Sequence, residues 1–264
     1  MKMTKLMATT AVLASTLVLG NVVASAEAGT LPATYETDTT VKFSPSDEIT
    51  PPVDPLDPEK PTTPVDPLDP EKPTTPVDPE DPDKPINPGT NGPLSIDFAS
   101  PLYFGENKIV TSDKDYFAEA QPLSDGTTRP NFVQVTDNRG GEQGWTLQVK
   151  QNGQFKSKTS NRELTGAQIS FANGQVATAT DSKVPSIIAT EFTLVADGTG
   201  AAQNVMTAKA GEGAGTHIYR SGDDAAKATS VKLAVPGKLT KLAETYTTTL
   251  TYTLTDVPGN DTPE

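Results

Sequence analysis

The stretch TYTTTLTYTLT, residues 245–255, is the feature that most restricts the fold of this chain. Its side chains alternate between two kinds. One set contains Tyr246, Leu250, Tyr252 and Leu254, while the intervening positions are all threonine. A period of two residues puts each set on its own face of a β-strand, so the apolar face can pack while the threonine face meets solvent. The stretch therefore predicts a strand that covers one side of a core.

A second stretch, GWTLQV at residues 144–149, follows the same rule and holds the only tryptophan of the chain. Trp145, Leu147 and Val149 share one face. Similar short runs recur from Leu94 to about Pro258, separated by turns rich in glycine and asparagine, and no segment has a long helical period. We predict an all-β fold, an antiparallel β-sandwich of immunoglobulin-like or related type. The expected strands lie in residues 94–98, 108–110, 132–136, 144–151, 167–171, 186–195, 204–209, 216–220, 230–235 and 245–255.

Residues 52–88 contain proline at every third position, within two identical PVDPLDPEKPTT units and a third, PVDPEDPDKPIN. Polyproline II has three residues per turn, so these prolines would form one ridge along it. We predict an extended acidic stalk of about 110 Å. The alternative is an unstructured linker, which would differ from the stalk mainly in stiffness. A proline-rich ligand for SH3-type grooves is a less favoured alternative. Residues 89–93 would form a short linker, and residues 259–264 a C-terminal tail.

The first residues are typical of a secretory signal peptide. Lys2 and Lys5 precede the apolar run AVLASTLVLG, and small residues follow. We predict a signal peptide over residues 1–26, with Ala28 as the alternative cleavage position. The apolar run is shorter than the ~20 residues that a membrane-spanning helix requires, so we expect a secreted protein that is not an integral membrane protein. Residues 27–51 are too few to fold alone, and we expect them to be disordered.

The charge and the absence of cysteine exclude several classes of function. The net charge is −13, and residues 52–88 hold ten acidic residues against three lysines. Because no basic stripe is available to neutralise phosphates, nucleic acid is not an expected partner. A chain with 0 cysteines has no disulfide scaffold, no thiolate metal site and no cysteine nucleophile.

The two alternating stretches resemble the WxL domain of surface proteins from low-GC Gram-positive bacteria. Trp145-Thr146-Leu147 after Gly144 matches the first motif of that family, and YTTTLTYTLTDVP at residues 246–258 matches the C-terminal one. The matching positions are Trp145, Leu147, Tyr246, Leu250, Leu254 and Pro258. Tyr252 stands where the family usually has a second tryptophan. The segments LSIDFASPLYFG and LTGAQISF are also similar to the family, so the resemblance spans residues 94–258.

The resemblance implies a protein of the cell surface that is retained on the wall without covalent linkage, through binding of peptidoglycan. It also implies partners, namely other WxL proteins and a membrane-anchored protein, in a multi-protein complex. LPATY at residues 31–35 resembles a sortase signal, but Tyr35 replaces the glycine and no hydrophobic tail follows. We therefore expect no covalent anchor at that position.

Trp145 and Tyr252 have two interpretations. They could stack on sugar rings, or they could be core residues, and the core is favoured because each shares its face with a leucine two positions away. His217 is the only histidine, and no nucleophile elbow accompanies it, so a catalytic role is not favoured. Asp223 and Asp224 most simply cap a turn. We expect no enzyme activity and no cofactor; the alternatives are a secreted wall-active glycan hydrolase and an adhesin for host matrix protein.

Overall fold

The structure, a computed structural model, describes residues 34–73, 77–78, 81–85, 89–195 and 202–256. The predicted signal peptide, Pro258 and the predicted tail at residues 259–264 lie outside this part. The chain divides into two compact units, Met1–Lys42 and Phe43–Glu264. In the first unit, the described residues 34–42 belong to no strand or helix. No helix in the described part of the chain has the length and apolar character needed to cross a membrane.

The repeats form three short antiparallel hairpins, so the prediction of one continuous polyproline II helix is wrong for their described residues. Each hairpin pairs a two-residue strand with a five-residue strand. The strands are β1 (Val53–Asp54), β2 (Asp57–Pro61), β3 (Val65–Asp66), β4 (Asp69–Pro73), β5 (Val77–Asp78) and β6 (Asp81–Pro85).

The turns of the first two hairpins each begin at an Asp-Pro pair. The backbone N–H of Leu56 donates to Asp54 Oδ1 at 2.9 Å, and that of Leu68 donates to Asp66 Oδ1 at 2.8 Å. Aspartate at the first position of a turn and proline at the second are the residues that a type I turn prefers. The local turn preference of Asp-Pro-Leu-Asp therefore overrides the three-residue period of the prolines.

The remaining strands follow from Leu94 onward, and no described residue of this region is helical. They are β7 (Leu94–Ala99), β8 (Lys114–Phe117), β9 (Gln121–Pro122), β10 (Thr128–Arg129), β11 (Phe132–Asp137), β12 (Trp145–Gln151), β13 (Lys156–Ser157), β14 (Gln168–Phe171), β15 (Gly174–Thr178), β16 (Ile187–Ile188), β17 (Phe192–Thr193), β18 (Gln203–Ala208), β19 (Gly215–Ser221), β20 (Val231–Val235), β21 (Tyr246–Thr247) and β22 (Leu250–Thr255).

Three four-stranded antiparallel sheets organise these strands. Their orders are β15-β19-β11-β7, β16-β18-β12-β22 and β17-β14-β20-β8. Two-stranded ladders join β9 to β10 and β13 to β21. The prediction of an all-β antiparallel fold is thus confirmed.

One apolar cluster is shared by all three four-stranded sheets. Trp145, Leu147 and Val149 of β12 pack in the same cluster as residues of β11, β14, β18, β19 and β20. A smaller cluster of Phe98, Phe132 and Ile218 lies on the sheet that contains β7, β11 and β19, with Val53 packed against it. The inward positions of the alternating strands therefore supply the core.

Several strands differ from the predicted ones. Residues 108–110, predicted as a strand, form none. Residues 186–195 form two short strands, β16 and β17, instead of one long strand. Strands β8 and β15 have no alternating apolar pattern, and both were missed because cross-strand pairing with β20 and β19 holds them.

The first repeat and the start of the second lie against the strands that follow Leu94. Asp54 is 7% exposed and Val65 is 4% exposed. A β-bridge joins Pro64 to Leu123, and the Ser124 N–H donates to the Thr63 carbonyl at 2.9 Å. The prediction of an extended stalk is therefore wrong for these positions, which pack against the rest of the chain.

Candidate functional site

The two motif strands lie side by side. Strand β12 pairs antiparallel with β22, in a register that places Leu147 opposite Leu254, Val149 opposite Tyr252 and Gln151 opposite Leu250. The middle and the end of the sequence thus meet in one sheet, with β22 at its edge. The threonine face of β22 points outward, since Thr251 and Thr253 are exposed.

Trp145 is 0% exposed. Its indole N–H donates to the carbonyl of Gly213 at 2.9 Å, and its ring lies 6.1 Å from the His217 ring, centroid to centroid. Gly213 has a φ of +81°, and a Cβ there would lie 2.7 Å from Trp145 Nε1. The indole therefore both fills the core and holds the loop that contains Gly213.

The residues of the second motif are less buried than those of the first. Tyr246, Leu250, Tyr252 and Leu254 are each partly exposed and pack against the main cluster. Tyr252 lines a cavity of about 10 Å³ together with Tyr219, too small for more than about one water molecule. Burial raises the pKa of both tyrosines above the ordinary value. Neither ring has room for a sugar in this cavity.

A cleft lies beside the buried end of β12, and we name it the motif cleft. It has a volume of about 390 Å³. Three segments line it, from the N-terminal side of the repeats, from the loop between β11 and β12, and from the loop between β18 and β19. The lining residues are Ser44, Ser46, Asp137, Asn138, Gly140, Gly141, Glu142 and Ala214.

The loop between β11 and β12 is braced by an ion pair. Arg139 donates from Nε to Asp137 Oδ1 at 2.9 Å and from Nη2 to Asp137 Oδ2 at 2.7 Å. Arg139 Nη2 also donates to the Gly144 carbonyl at 2.8 Å. The hydrogen bonds that Arg139 donates to Asp137 raise the pKa of Arg139 above its ordinary value. Because the pair is nearly out of solvent, it fixes the loop in one shape.

Hydrogen bonds join this loop to the loop between β18 and β19, and join that second loop to the segment between β15 and β16. The Gly211 N–H donates to the Glu142 carbonyl at 2.7 Å, and the Gly213 N–H donates to the Lys183 carbonyl at 2.9 Å. The Ala214 N–H donates to Ser182 Oγ at 3.1 Å. Since Trp145 donates a hydrogen bond to Gly213, the motif tryptophan is connected to a loop that lines the cleft, although Trp145 is not itself a lining residue.

His217 is fully buried, and burial lowers its pKa. Its Nε2 lies 3.0 Å from the Ala214 carbonyl, while Nδ1 has no partner within the described residues. Since that Nε2 contact requires a donor, Nε2 carries the proton of a neutral ring. His217 therefore packs under the cleft and does not present a nitrogen to it.

Asp223 and Asp224 follow the end of β19, where a turn begins. Asp223 Oδ1 accepts from the N–H groups of Ala225 and Ala226 at 3.1 and 2.9 Å, while Asp224 pairs with Lys227. The prediction of a turn cap is confirmed for Asp223. Within the described residues, no group of three or more histidine, cysteine, aspartate or glutamate side chains is placed to hold a metal ion.

A family model described as "WxL domain surface cell wall-binding" matches residues 59–258. The chain belongs to the WxL domain family. The match covers most of the chain and begins inside the first proline-rich repeat, 35 residues before the predicted start at Leu94. No curated protein and no solved structure matches the chain. A WxL domain is a surface domain that binds the cell wall, so the match associates this chain with the cell surface and wall.

The motif positions could be read from sequence, whereas the cleft could not. Alternation indicates which face of a strand is apolar, but Asn138, Glu142 and Ala214 belong to loops without a repeating pattern. The two glycine-rich segments, NRGGEQG and KAGEGAG, were the available indication. The sequence of each segment predicts only a turn, because the proximity of the two depends on the β12–β18 pairing.

Proposed function

We propose that this chain is a non-catalytic extracellular protein of Gram-positive bacteria, held on the cell wall without a covalent bond, through binding of peptidoglycan by its WxL domain. The observation that carries the proposal is the family match over residues 59–258. The sequence of residues 1–26 supports it, because a signal peptide would deliver the chain to the wall.

The proposed binding site is the motif cleft and not the ring of Trp145. An aromatic platform for a sugar must expose one face of its ring, and Trp145 is fully buried. The cleft instead offers the hydroxyls of Ser44 and Ser46, the amide of Asn138 and the carboxylate of Glu142. Glycan strands and wall peptides carry hydroxyl, amide and ammonium groups that pair with such side chains.

The charge of the cleft favours one part of peptidoglycan. Asp137 is neutralised by Arg139. The side chain of Glu142 is exposed, and among the described residues its carboxylate accepts one long hydrogen bond, from Ser182 Oγ at 3.3 Å. A free carboxylate attracts an ammonium group and repels phosphate. We therefore propose that the cleft binds the amine-bearing peptide part of peptidoglycan in preference to phosphate-rich wall polymers.

The contacts in the cleft support a binding role over hydrolysis. Glycoside cleavage requires two free carboxyl groups at a defined separation. Both oxygens of Asp137 already accept hydrogen bonds from Arg139, which leaves Glu142 as the other carboxylate of the lining. The buried and neutral His217 also cannot serve as a base in the cleft.

The proposal includes the expected partners and the layered arrangement of the sheets. The edge position of β22 gives a partner protein access to one motif strand, which supports assembly with other WxL proteins or a membrane-anchored protein. Three sheets that share one apolar cluster support a β-sandwich as the architecture.

A pelleting assay with protein-stripped peptidoglycan tests the proposal. Gly141→Phe is designed to fill the cleft. It should cause no backbone strain, because Gly141 does not have a positive φ. The added Cβ would meet only the Gln143 side chain, at 3.6 Å. Thr253→Phe places the same ring on the exposed threonine face of β22. We expect the first variant to lose most of the pelleted fraction and the second to retain it.

If Thr253→Phe alone loses the pelleted fraction, the binding surface is the threonine face of β22, and the proposal that the cleft binds peptidoglycan is contradicted. If the unmodified chain does not pellet with peptidoglycan, wall binding itself is contradicted. Release of reducing ends during the incubation would favour the glycan hydrolase. Binding to host matrix protein with no binding to peptidoglycan would favour the adhesin.

A further inference from the structure

The first proline-rich repeat occupies a built site on the strands that follow Leu94. Arg129 donates from Nε to both oxygens of Asp54 at 2.7 and 2.8 Å, and its Nη2 lies 2.6 Å from Asp54 Oδ2. Arg220 Nη1 donates to the Pro55 carbonyl at 2.6 Å. These contacts combine an ion pair with a backbone hydrogen bond on consecutive residues of the repeat. Such a pattern recognises a particular short sequence.

Gln134 of β11 is the third residue that contacts this part of the chain. It is fully buried in β11, accepts from the Val53 N–H at 2.8 Å through Oε1 and donates to the Pro51 carbonyl at 3.1 Å through Nε2. The same Nε2 donates to Asp97 Oδ2 at 2.9 Å, and Asp97 also accepts from Ser95 and Thr136. The orientation of the Gln134 amide is therefore fixed by a buried partner that does not belong to the repeat.

A second set of contacts lies twelve residues along the chain. Gln121 Nε2 donates to the Val65 carbonyl at 2.7 Å, and the Ser124 N–H donates to the Thr63 carbonyl at 2.9 Å. Here the repeat contributes backbone groups and one buried apolar side chain, Val65. The spacing between the two sets equals the length of one repeat.

The side chains that the site contacts recur at the same spacing in the next repeat. Moving the chain by twelve residues puts Val65 in the place of Val53, Asp66 in the place of Asp54 and Val77 in the place of Val65. The other hydrogen bonds described above use backbone groups, those of Pro51, Val53, Pro55, Thr63 and Val65. The turn geometry also recurs, since Asp66 accepts from Leu68 as Asp54 accepts from Leu56.

We propose that Arg129, Gln134 and Arg220 form a recognition site for the Val-Asp-Pro unit of the repeats, and that the second repeat competes with the first for this site. The two bound registers differ by twelve residues and conserve the side-chain contacts of the Val-Asp-Pro unit. Loop-closure entropy changes only slowly with loop length, so it does not strongly favour either register. Each register is expected within tenfold of the other in population.

Exchange of the repeats would change the length of the tether that precedes the WxL domain. Release of the first repeat frees twelve residues, which span up to about 40 Å when extended. The bound site thus divides the repeats into a docked part and a free part, with the boundary set by which aspartate pairs with Arg129.

A distance measurement on the full chain tests the proposal. The chain contains 0 cysteines, so cysteines introduced at exposed Glu59 and exposed Lys150 carry the only spin labels. We expect two distances in the otherwise unmodified chain. Asp66→Asn should leave one of them, and Asp54→Asn should shift the population to the other, because only the ionised side chain pairs fully with Arg129.

The urea midpoint gives an independent readout with the same variants. Asp54→Asn and Asp66→Asn should each lower it by less than half of the loss caused by the double variant, because the remaining aspartate fills the site. The proposal is overturned by a single distance in all backgrounds, or by an Asp54→Asn loss equal to that of the double variant.

Discussion

The motif strands and the docked first repeat are held to the molecule by different forces. Strands β12 and β22 pack through alternating apolar side chains around the fully buried Trp145. The repeat is held by an ion pair from Asp54 to Arg129 and by the buried amide of Gln134. Apolar burial tolerates imprecise geometry, whereas a buried ion pair stabilises only when every polar atom is satisfied. The comparison predicts that the two regions respond differently to substitution and to pH.

The largest expected effect is at the motif strands. Trp145→Ala removes a large buried ring together with its hydrogen bond to Gly213, and should lower the free energy of unfolding by about 3 to 5 kcal/mol. Urea unfolding followed by circular dichroism measures this loss. Trp145→Phe, which retains most of the apolar area, is the control and should cost less. Equal losses for the two variants would contradict the packing role of the indole.

Two glycines of the same loop separate backbone strain from packing against Trp145. Gly213→Ala and Gly211→Ala both place a side chain at positive φ, +81° and +85°, which costs about 1 to 2 kcal/mol. At Gly213 the new Cβ also meets Trp145 Nε1 at 2.7 Å and Ala208 Cβ at 2.5 Å, while at Gly211 it meets nothing within 4 Å. We expect a further loss of about 1 to 3 kcal/mol for Gly213→Ala alone. Thermal or urea unfolding measures both variants, and similar losses would show that the indole does not approach Gly213.

The docked repeat should show a pH dependence that the motif strands lack. Burial works against ionisation of Asp54, but Arg129 and the backbone N–H groups outweigh it and lower the pKa of Asp54 below 3.8. A lowered pKa contributes stability above the unfolded value, and this contribution is lost as the pH falls through the folded value. In an Asp66→Asn background, Asp54→Asn should cost about 1.5 to 3 kcal/mol at neutral pH. The difference should shrink below about pH 3.8 in urea titrations.

The carboxyl group of Asp97, in the same region, should have the opposite effect on the pH dependence of stability. Burial raises the pKa of Asp97 above its ordinary 3.8, despite hydrogen bonds from Ser95, Thr136 and Gln134 that lower it. The folded chain therefore gains stability from Asp97 as the pH falls through its raised pKa. The stability of Asp97→Asn relative to the unmodified chain should fall over that interval. A parallel pH response of the Asp54 and Asp97 variants would contradict the assignment of these two carboxyl groups.

The smallest effects concern two tyrosines beside one cavity. Tyr219 donates its hydroxyl to the Ala189 carbonyl at 2.8 Å, so Tyr219→Phe should cost about 1 kcal/mol. The Tyr252 hydroxyl has no hydrogen-bond partner among the described residues, so Tyr252→Phe should stay within about 0.5 kcal/mol of the parent. Urea midpoints distinguish the two, and a larger loss at Tyr252 would indicate a partner for its hydroxyl.

The sequence was informative where a pattern lies within one strand. The alternation in residues 245–255 predicts which side chains of β22 face the core, because the period of a strand is local. The docking of the repeat depends on Arg129 and Arg220, which lie 75 and 165 positions away from their partners Asp54 and Pro55. No local period contains that information, and the three-residue spacing of proline indicated a different structure.

The motif cleft illustrates the same limit. Its residues come from three separate segments that the β-sheet pairing brings together, and only one of them, the segment at residues 138–144, adjoins a motif strand. The Asp-Pro turns of the repeats, by contrast, were predictable from residue preference at each turn position. The three-residue period of the prolines instead favours polyproline II, which the repeats do not adopt in their described residues.

The emission of Trp145 tests the central claim most directly, since the chain contains 1 tryptophan. Excitation of the indole in the full chain should give blue-shifted emission that acrylamide does not quench and that added peptidoglycan does not change. Red-shifted emission that acrylamide quenches, or that responds to peptidoglycan, would place the ring at the surface and contradict a buried tryptophan that positions the cleft from behind.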